Sequence, residues 1–135
     1  MINVNELRIG NSIKAIGEIH KHLTGESAVI KVDARLIFDM VDAPQVAEVY
    51  EPINLNDYWF EKFGFKKVEM IFENIPMLYW RKDKLIVSYE LENLFVVLET
   101  EKEAIISVLV DQVHKLQNLH FVLFGTELQT QAGGV

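Results

Sequence analysis

The chain has 135 residues, and half of them are hydrophobic, so it can bury a packed core without disulfide or metal staples. It contains no cysteine, which excludes disulfides, thiolate metal sites and cysteine nucleophiles. Its net charge of −7 argues against direct binding to nucleic acid, because a phosphate backbone repels an acidic protein.

The N-terminus and the apolar runs bear on localisation. Residues 1–8 lack the basic and then apolar layout of a signal peptide, and no apolar run approaches the roughly 20 residues of a membrane span. The lack of cysteine suits a reducing compartment. We therefore expect a soluble, cytoplasmic protein that does not contact a membrane.

Short segments of β character, separated by glycines, open the chain. Alternating residues predict strands at 12–16, 19–23 and 28–32, with a turn at 24–27. Residues 35–40 fit either a further strand or one helical turn, and residues 46–50 are predicted to be a strand. Short strands bent at glycines are typical of a small SH3-like barrel, which we expect for this part of the chain.

The middle of the chain predicts a short aromatic helix and then a meander. Asn56 and Asp57 cap a helix over residues 58–63, and Gly64 ends it. The aromatic content of this helix predicts that it covers one end of a sheet. Further strands are predicted at residues 68–72, 77–81, 85–89, 94–98 and 104–108.

A helix predicted over residues 113–124 and ended by Gly125 closes the fold. At 100° per residue, Leu109 just before the helix falls on the same face as Val113, Leu116, His120 and Leu123. Asp111, also before the helix, falls on the opposite side with His114, Lys115 and Asn118, and we expect this side to face solvent. The predicted fold is a single α+β domain over residues 1–128, in which this helix and the aromatic helix pack on a curved, mainly antiparallel sheet; residues 129–135 form a flexible tail.

Acidic residues are concentrated in one stretch of the chain. From Leu36 to Glu61 there is no Lys or Arg, and there are six acids: Asp39, Asp42, Glu48, Glu51, Asp57 and Glu61. Such a stretch is either a solubilising surface or a face complementary to a basic partner. On the second interpretation the candidate partner-binding residues are Asp39, Asp42, Glu48 and Glu51.

Histidines supply the first candidates for chemistry. His20 and His22 lie two residues apart, as paired zinc ligands on a strand do, but no third ligand is marked by spacing. His120 lies on the predicted core face of the last helix, where a packed or carbonyl-bonded histidine is commoner than a metal ligand. Neither pattern predicts a metal site.

Two further patterns each have a structural explanation. Glu99, Glu101 and Glu103 alternate, which suits either a hard-cation site or an exposed hairpin. Tyr79 and Trp80 precede basic residues at 81, 82 and 84, as in single-strand nucleic-acid sites, yet one of the two rings must face the core of a strand. The sequence has no phosphate-binding glycine loop and no Gly-x-Ser-x-Gly. We therefore expect no catalytic residues, no metal and no cofactor, and so no enzyme.

Three blocks of sequence carry a family resemblance. They read ELRIGN at residues 6–11, YEPINL at 50–55 continuing to FGF at 63–65, and VHKLQNLHFVLFGTEL at 113–128. The chain resembles a family of small uncharacterised proteins encoded by phages and prophages of gut and related bacteria. The blocks bring no catalytic or binding residue with them, and residues 66–103 lie outside them. The resemblance implies a mobile-element protein that acts in the cytoplasm of a bacterial host.

Three classes of function are compatible with these features. The favoured one is a non-enzymatic binding protein whose partner is a host protein with a basic surface, such as a nucleic-acid-binding defence effector that it inhibits in the manner of an anti-CRISPR protein. The second is a phage structural or assembly protein that self-associates through apolar residues such as Phe121 and Val122. The third, least favoured, is an enzyme or metal protein that uses His20, His22 or His120 with nearby carboxylates.

Overall fold

The computed structural model describes residues 1–90, 93–98 and 107–131. Helices and antiparallel sheets occur together, which confirms the predicted α+β class. Contacts divide the chain into two compact units: unit 1 comprises residues 1–54 and 112–128, and unit 2 comprises residues 55–111 and 129–135. The single domain expected over residues 1–128 stays a prediction.

Unit 1 contains a three-stranded antiparallel sheet in the order β2-β1-β3. Its strands are β1 (Ser12–Ala15), β2 (Val29–Lys31) and β3 (Tyr50–Glu51). The first two confirm the strands predicted at 12–16 and 28–32. This sheet of three short strands does not confirm the SH3-like barrel that we expected.

Two predicted strands of unit 1 are wrong, because 3-10 helices take their place. The segment predicted at 19–23 is replaced by a 3-10 helix at Glu18–His20, since Gly17, at φ 87°, turns the chain immediately before it. The segment predicted at 46–50 is replaced by a 3-10 helix at Pro44–Val49, and the strand begins only at Tyr50. Pro44 starts this helix because its fixed φ suits a first helical position.

Helix α1 (Ala34–Asp42) resolves the choice that the sequence left open for residues 35–40. Asp33 caps it, and its Oδ1 accepts a hydrogen bond from the Leu36 amide at 2.8 Å. Leu36, Ile37 and Met40 share the inner face of α1 and pack on the core of unit 1. That core is built from Ile2, Leu7, Ile13, Val32, Met40 and Ala47.

Unit 2 contains the predicted aromatic helix and meander. Helix α2 (Asp57–Lys62) begins after Asn56, whose Oδ1 accepts from the Trp59 amide at 3.1 Å, and Gly64 follows its end at φ 85°. The antiparallel strands run in the order β4 (Lys66–Phe72), β5 (Ile75–Lys82), β6 (Leu85–Glu90), β7 (Asn93–Leu98) and β8 (Ser107–Leu109). Residues 104–106 of the last predicted strand lie outside the described residues.

Helix α2 packs on this sheet through its aromatic side chains. The Phe60 ring stacks on Trp80, with centroids 5.4 Å apart and planes 18° apart. Trp59, Phe63 and Val87, which pairs with Trp80 across the strands, are also buried. Helix α2 therefore packs on β5, as expected for a helix that covers the sheet, and its placement at one end of the sheet stays a prediction.

Helix α3 (Val113–Phe124) belongs to unit 1, contacts β1 and ends at Gly125, whose φ of 71° is left-handed. Its buried residues are Val113, His114, Leu116 and Gln117. The prediction that His114 faces solvent is therefore wrong. The reason is that this side of the helix hydrogen-bonds to residues 6–12, so polar side chains are buried together with apolar ones.

The expected tail begins after the buried Leu128. The Gln131 amide donates to the Lys62 carbonyl at 2.6 Å within unit 2. Residues 132–135 lie outside the described residues, so flexibility of the whole tail stays a prediction.

Candidate functional site

A groove of about 510 Å³ lies in unit 1 between the N-terminal segment, the end of α1 and the 3-10 helix that follows α1. Its apolar lining comes from Met1, Ile2, Val4, Met40, Val41, Pro44 and Ala47. Its polar lining comes from Asn3, Asn5, Gln45 and Glu48. Among the described side chains that line it, only Glu48 carries a charge, so the groove is apolar with one carboxylate.

Local structure explains why these elements leave a groove. The Val46 amide donates to the Ala43 carbonyl at 2.9 Å, so the chain reverses just after α1. The Ile2 amide donates to the Tyr50 carbonyl at 3.2 Å, which fixes the N-terminal segment beside β3. The small side chain of Ala47 fills little of the space between these elements. The groove therefore depends on contacts between distant parts of the sequence.

The outer face of α1 continues the apolar lining of the groove. Phe38 is 59% exposed and Val41 is 64% exposed, and they lie three residues apart on one side of the helix. Val41 also lines the groove. Large apolar side chains that stay in water next to an apolar groove mark an interaction surface more often than single exposed residues do.

The structure places all four predicted partner-binding residues in unit 1. Asp39 pairs with Arg35, with Nε and Oδ1 3.1 Å apart, and Glu51 pairs with Lys14, with Nζ and Oε1 3.6 Å apart. Both carboxylates are therefore partly neutralised by a neighbour.

Asp42 and Glu48 are the more available of the four. Both are exposed, and neither makes an ion pair within the described part of the chain. Asp42 follows Val41 at the end of α1, and Glu48 lines the groove. The structure thus brings two of the predicted carboxylates to an apolar surface that the sequence did not reveal.

The position of Asp39 and Asp42 is unfavourable for α1 itself. Both lie in the last turn, where the helix dipole is negative, and this turn contains no basic residue. Negative charges at a helix C-terminus each cost a few tenths of a kcal/mol, up to about 1 kcal/mol. The ion pair with Arg35 offsets this cost for Asp39, so Asp42 is the carboxylate that local helix stability does not explain.

The Tyr50 hydroxyl is affected by the carboxylates at and near α1. Burial raises the pKa of its hydroxyl above 10.0, and the negative charges of Asp33 and Asp39 raise this pKa further. The His20 ring lies against Tyr50, with centroids 5.4 Å apart. The carboxylates of α1 therefore act on β3 as well as on solvent.

Unit 1 also contains a partly buried polar cluster, which we call the clamp. Asn11, His114 and Gln117 form its buried part. The more exposed members are Glu6, Arg8, Asn118 and Glu127. His114 is fully buried, and its Nε2 lies 3.0 Å from Oε2 of Glu6. Asn118 Oδ1 accepts from Asn11 Nδ2 at 2.8 Å and from Arg8 Nη1 at 3.2 Å.

The clamp joins residues 6–11 near the N-terminus to residues 113–128 near the C-terminus. Arg8 pairs with Glu127, and its guanidinium lies 3.8 Å from the centre of the Phe121 ring. The Ser12 amide donates to Gln117 Oε1 at 2.8 Å. The polar groups of the clamp mostly hydrogen-bond to one another, so we infer that the clamp stabilises unit 1.

The sequence shows the polar residues of the clamp near both ends of the chain. It does not show which of them pair, because these contacts join residues that are far apart in sequence.

The predicted histidine candidates are separated in the structure. His20 belongs to a 3-10 helix and His22 to the turn after it, so they do not share a strand face as supposed. His120 Nδ1 lies 2.9 Å from the Thr126 carbonyl, the bonded arrangement expected for a packed histidine. No three His, Asp or Glu side chains of the described ranges gather as metal ligands do. Glu99, Glu101 and Glu103 lie outside the described residues.

The aromatic and basic cluster of β5 is partly built into unit 2. Trp80 is buried against Phe60, and Lys82 Nζ donates to the Phe63 carbonyl at 2.7 Å. Burial lowers the pKa of Lys82. Trp80 and Lys82 are therefore not available together as a surface for stacking a nucleic-acid base.

Comparison with known proteins does not assign a function, so the proposal below depends on the geometry of unit 1. The chain matches no protein-family model, no curated protein and no solved structure. Among the described residues, no helix has both the length and the apolar character needed to cross a membrane.

Proposed function

We propose that this protein is a non-enzymatic binding protein that captures a basic partner protein through one surface of unit 1. We call this surface the α1 face; it comprises the groove together with Phe38, Val41, Asp42 and Glu48. The observation that carries the proposal is the combination, on one surface, of an apolar groove, exposed Phe38 and Val41, and the carboxylates of Asp42 and Glu48, which form no ion pair within the described residues. Apolar contact supplies affinity at such a surface, and charge supplies steering and partner choice.

The class of partner follows from the chemistry of this face. A basic protein surface complements the carboxylates, and basic surfaces are common where a protein binds nucleic acid. With the mobile-element context that the resemblance implies, the proposed partner is a nucleic-acid-binding protein of the bacterial host, and the protein competes with nucleic acid for its basic surface. An inhibitor of a host defence effector is the form of this proposal that we favour.

Capture from host lysate tests the proposal with a matched pair of variants. Asp42→Lys/Glu48→Lys reverses the two exposed carboxylates of this surface. Glu69→Lys/Glu73→Lys reverses two exposed carboxylates of unit 2, so it changes the net charge equally. We expect wild-type protein and the unit 2 variant to retain the same basic partner, identified by mass spectrometry, and the unit 1 variant to lose it. Equal capture by all three proteins would refute the proposed surface.

Self-association is a second candidate because Val122 on α3 is 76% exposed. The neighbouring Phe121 is only 38% exposed, since the Arg8 guanidinium covers part of its ring. A single exposed valine is ordinary on a protein surface. Sedimentation at high concentration separates the candidates: a dimer that Val122→Asp dissociates would favour self-association, and a monomer would count against it.

A further inference from the structure

We infer that the groove is the anchor site for a basic, amphipathic helical segment of the partner, an inference that rests on the proposed function and names the chemistry of what binds there. The occupant would place apolar side chains in the groove and along Val41 and Phe38. It would place Lys or Arg side chains opposite Asp42 and Glu48.

The arrangement of residues around α1 points to a helical segment. At 100° per residue, Val41, Ala34 and Phe38 form one exposed apolar strip of the helix, and Asp42 lies directly beside this strip. Arg35 and Asp39 follow further around the helix and pair with each other. The apolar strip, with Asp42 beside it and Glu48 in the groove, is complementary to an amphipathic basic helix, which presents apolar anchors at helical spacing next to cations. A small molecule would fill the groove but would leave Phe38, at 59% exposure, in water.

The charges favour a cationic occupant over a neutral or acidic one. Glu48 is the charged side chain of the described lining, and Asp42 adjoins the groove through Val41. Burying Glu48 beneath an apolar segment without a cation would leave a desolvated, unpaired carboxylate, which is costly. A Lys or Arg on the occupant removes this cost and excludes acidic segments.

Three short synthetic helical peptides test the inference. The first has leucines on one face and lysines elsewhere; the second replaces the lysines with glutamates; the third has the composition of the first in an order that disperses the leucines. Titration of each into isotope-labelled protein, followed by amide NMR shifts and calorimetry, reports both the site and the dissociation constant. We expect only the first peptide to bind, with shifts concentrated at residues 1–5 and 40–48.

Two exposed valines on different helices allow the same substitution to be made at the proposed site and at a control position. Val41→Asp removes the apolar residue that links the groove to Phe38, and Val122→Asp makes the same change on α3, where Val122 is similarly exposed. We expect Val41→Asp and Asp42→Lys/Glu48→Lys each to weaken binding of the basic peptide by about tenfold or more. We expect Val122→Asp to bind within about twofold of wild type.

The outcomes separate this inference from the proposed function. Three outcomes would overturn the inference: the basic peptide does not bind, all three peptides bind equally, or the NMR shifts lie outside the groove. Any of them would do so even if capture from lysate still depends on Asp42 and Glu48. If the peptide binds at the groove but Asp42→Lys/Glu48→Lys does not change capture from lysate, the anchor site is supported. That result would refute the proposal that these carboxylates capture the partner. A wild-type dimer that Val41→Asp dissociates would identify a second copy of this chain as the occupant and would overturn the inference too.

Discussion

His114 shows most clearly how a single residue links the two ends of unit 1. It is fully buried, its Nε2 meets Glu6, and its Nδ1 has no hydrogen-bond partner among the described residues. The ring therefore has one nitrogen at hydrogen-bond distance from a carboxylate and one buried nitrogen without a partner in the described part of the chain. Burial of a half-satisfied side chain indicates that packing and the bond to Glu6 outweigh the unpaired nitrogen.

Replacing His114 tests this balance. We expect His114→Ala to lower the free energy of unfolding by about 2–3 kcal/mol, because it removes the bond to Glu6 and leaves a cavity. Val122→Ala, at an exposed position of the same helix, is the control and should change it by less than about 0.5 kcal/mol. Urea denaturation followed by circular dichroism measures both, and similar values for the two variants would show that the clamp does not stabilise unit 1.

Tyr50 provides a spectroscopic test of where Asp39 lies. Its pKa is raised above 10.0 by burial and by the charges of Asp33 and Asp39, so Asp39→Asn should lower this pKa. Asp42→Asn, one turn further along α1, should lower it less. The absorbance change of each protein on alkaline titration, minus that of its Tyr50→Phe derivative, isolates the Tyr50 hydroxyl. An unchanged pKa in Asp39→Asn would contradict the placement.

The raised pKa also has a consequence for stability. Folding favours the neutral phenol, so the contribution of Tyr50 is fully present below pH 10.0 and is lost as the pH rises through the raised folded value. We expect Tyr50→Phe to lose less stability than wild type over this alkaline window, as measured by urea midpoints. A wild-type curve that falls no faster than that of Tyr50→Phe would contradict this sign.

At the scale of single elements, prediction from sequence succeeded where local signals decide the outcome. The cap at Asn56, the stops at Gly64 and Gly125 and the meander of unit 2 depend on neighbours in sequence, and all of them were predicted. The turn between β4 and β5 is Glu73–Asn74, both at positive φ, so β5 includes Pro76 and begins two residues before the strand that we predicted at 77–81. The apolar pattern before Tyr50 suited a strand, but the preceding proline imposed a 3-10 helix.

Gly125 tests one of these local signals in isolation. It adopts φ 71° at the end of α3, and a Cβ atom added there would meet nothing within 4 Å. Gly125→Ala should therefore cost about 1 kcal/mol of unfolding free energy through backbone strain alone, and Gly125→Asn should cost less. Thermal and urea unfolding of the two variants measures the difference, and an alanine variant as stable as wild type would argue against the left-handed cap.

Asp42 separates stability from binding within a single element. Asp42→Lys replaces an unfavourable charge at the C-terminus of α1 with a favourable one, so the free energy of unfolding should rise by about 0.3–1 kcal/mol. The same substitution should weaken capture of the partner. Both effects can be measured by denaturation and by partner binding on one preparation of Asp42→Lys. Lower stability than wild type would contradict the dipole argument. Partner binding as tight as that of wild type would show that Asp42 is not part of the binding surface.

At the scale of the whole molecule, the sequence predicted the charge of the candidate surface but not its shape. A count along the chain identified Asp39, Asp42, Glu48 and Glu51, because charge is a property of composition. The groove escaped prediction because it forms only when the N-terminal segment lies beside α1 and the 3-10 helix. For the same reason the clamp was missed: pairing Glu6 with His114 joins residues 108 positions apart.

The division into two units also lies beyond local patterns. The acidic stretch from Leu36 to Glu61 spans both units, so its last two acids, Asp57 and Glu61, belong to unit 2 while the four candidate residues belong to unit 1. A run of charge in sequence therefore does not define a surface. This assignment makes unit 2 a source of control substitutions for binding by unit 1.

The most direct test of the central claim is the dissociation constant of the purified, captured partner, measured by calorimetry at low and at physiological salt. For Asp42→Lys/Glu48→Lys we predict a constant raised by about tenfold or more, with a weaker dependence on salt than wild type has. For Glu69→Lys/Glu73→Lys we predict a constant within about twofold of wild type. Equal constants for the two variants, or binding indifferent to salt, would contradict capture of a basic partner by the α1 face.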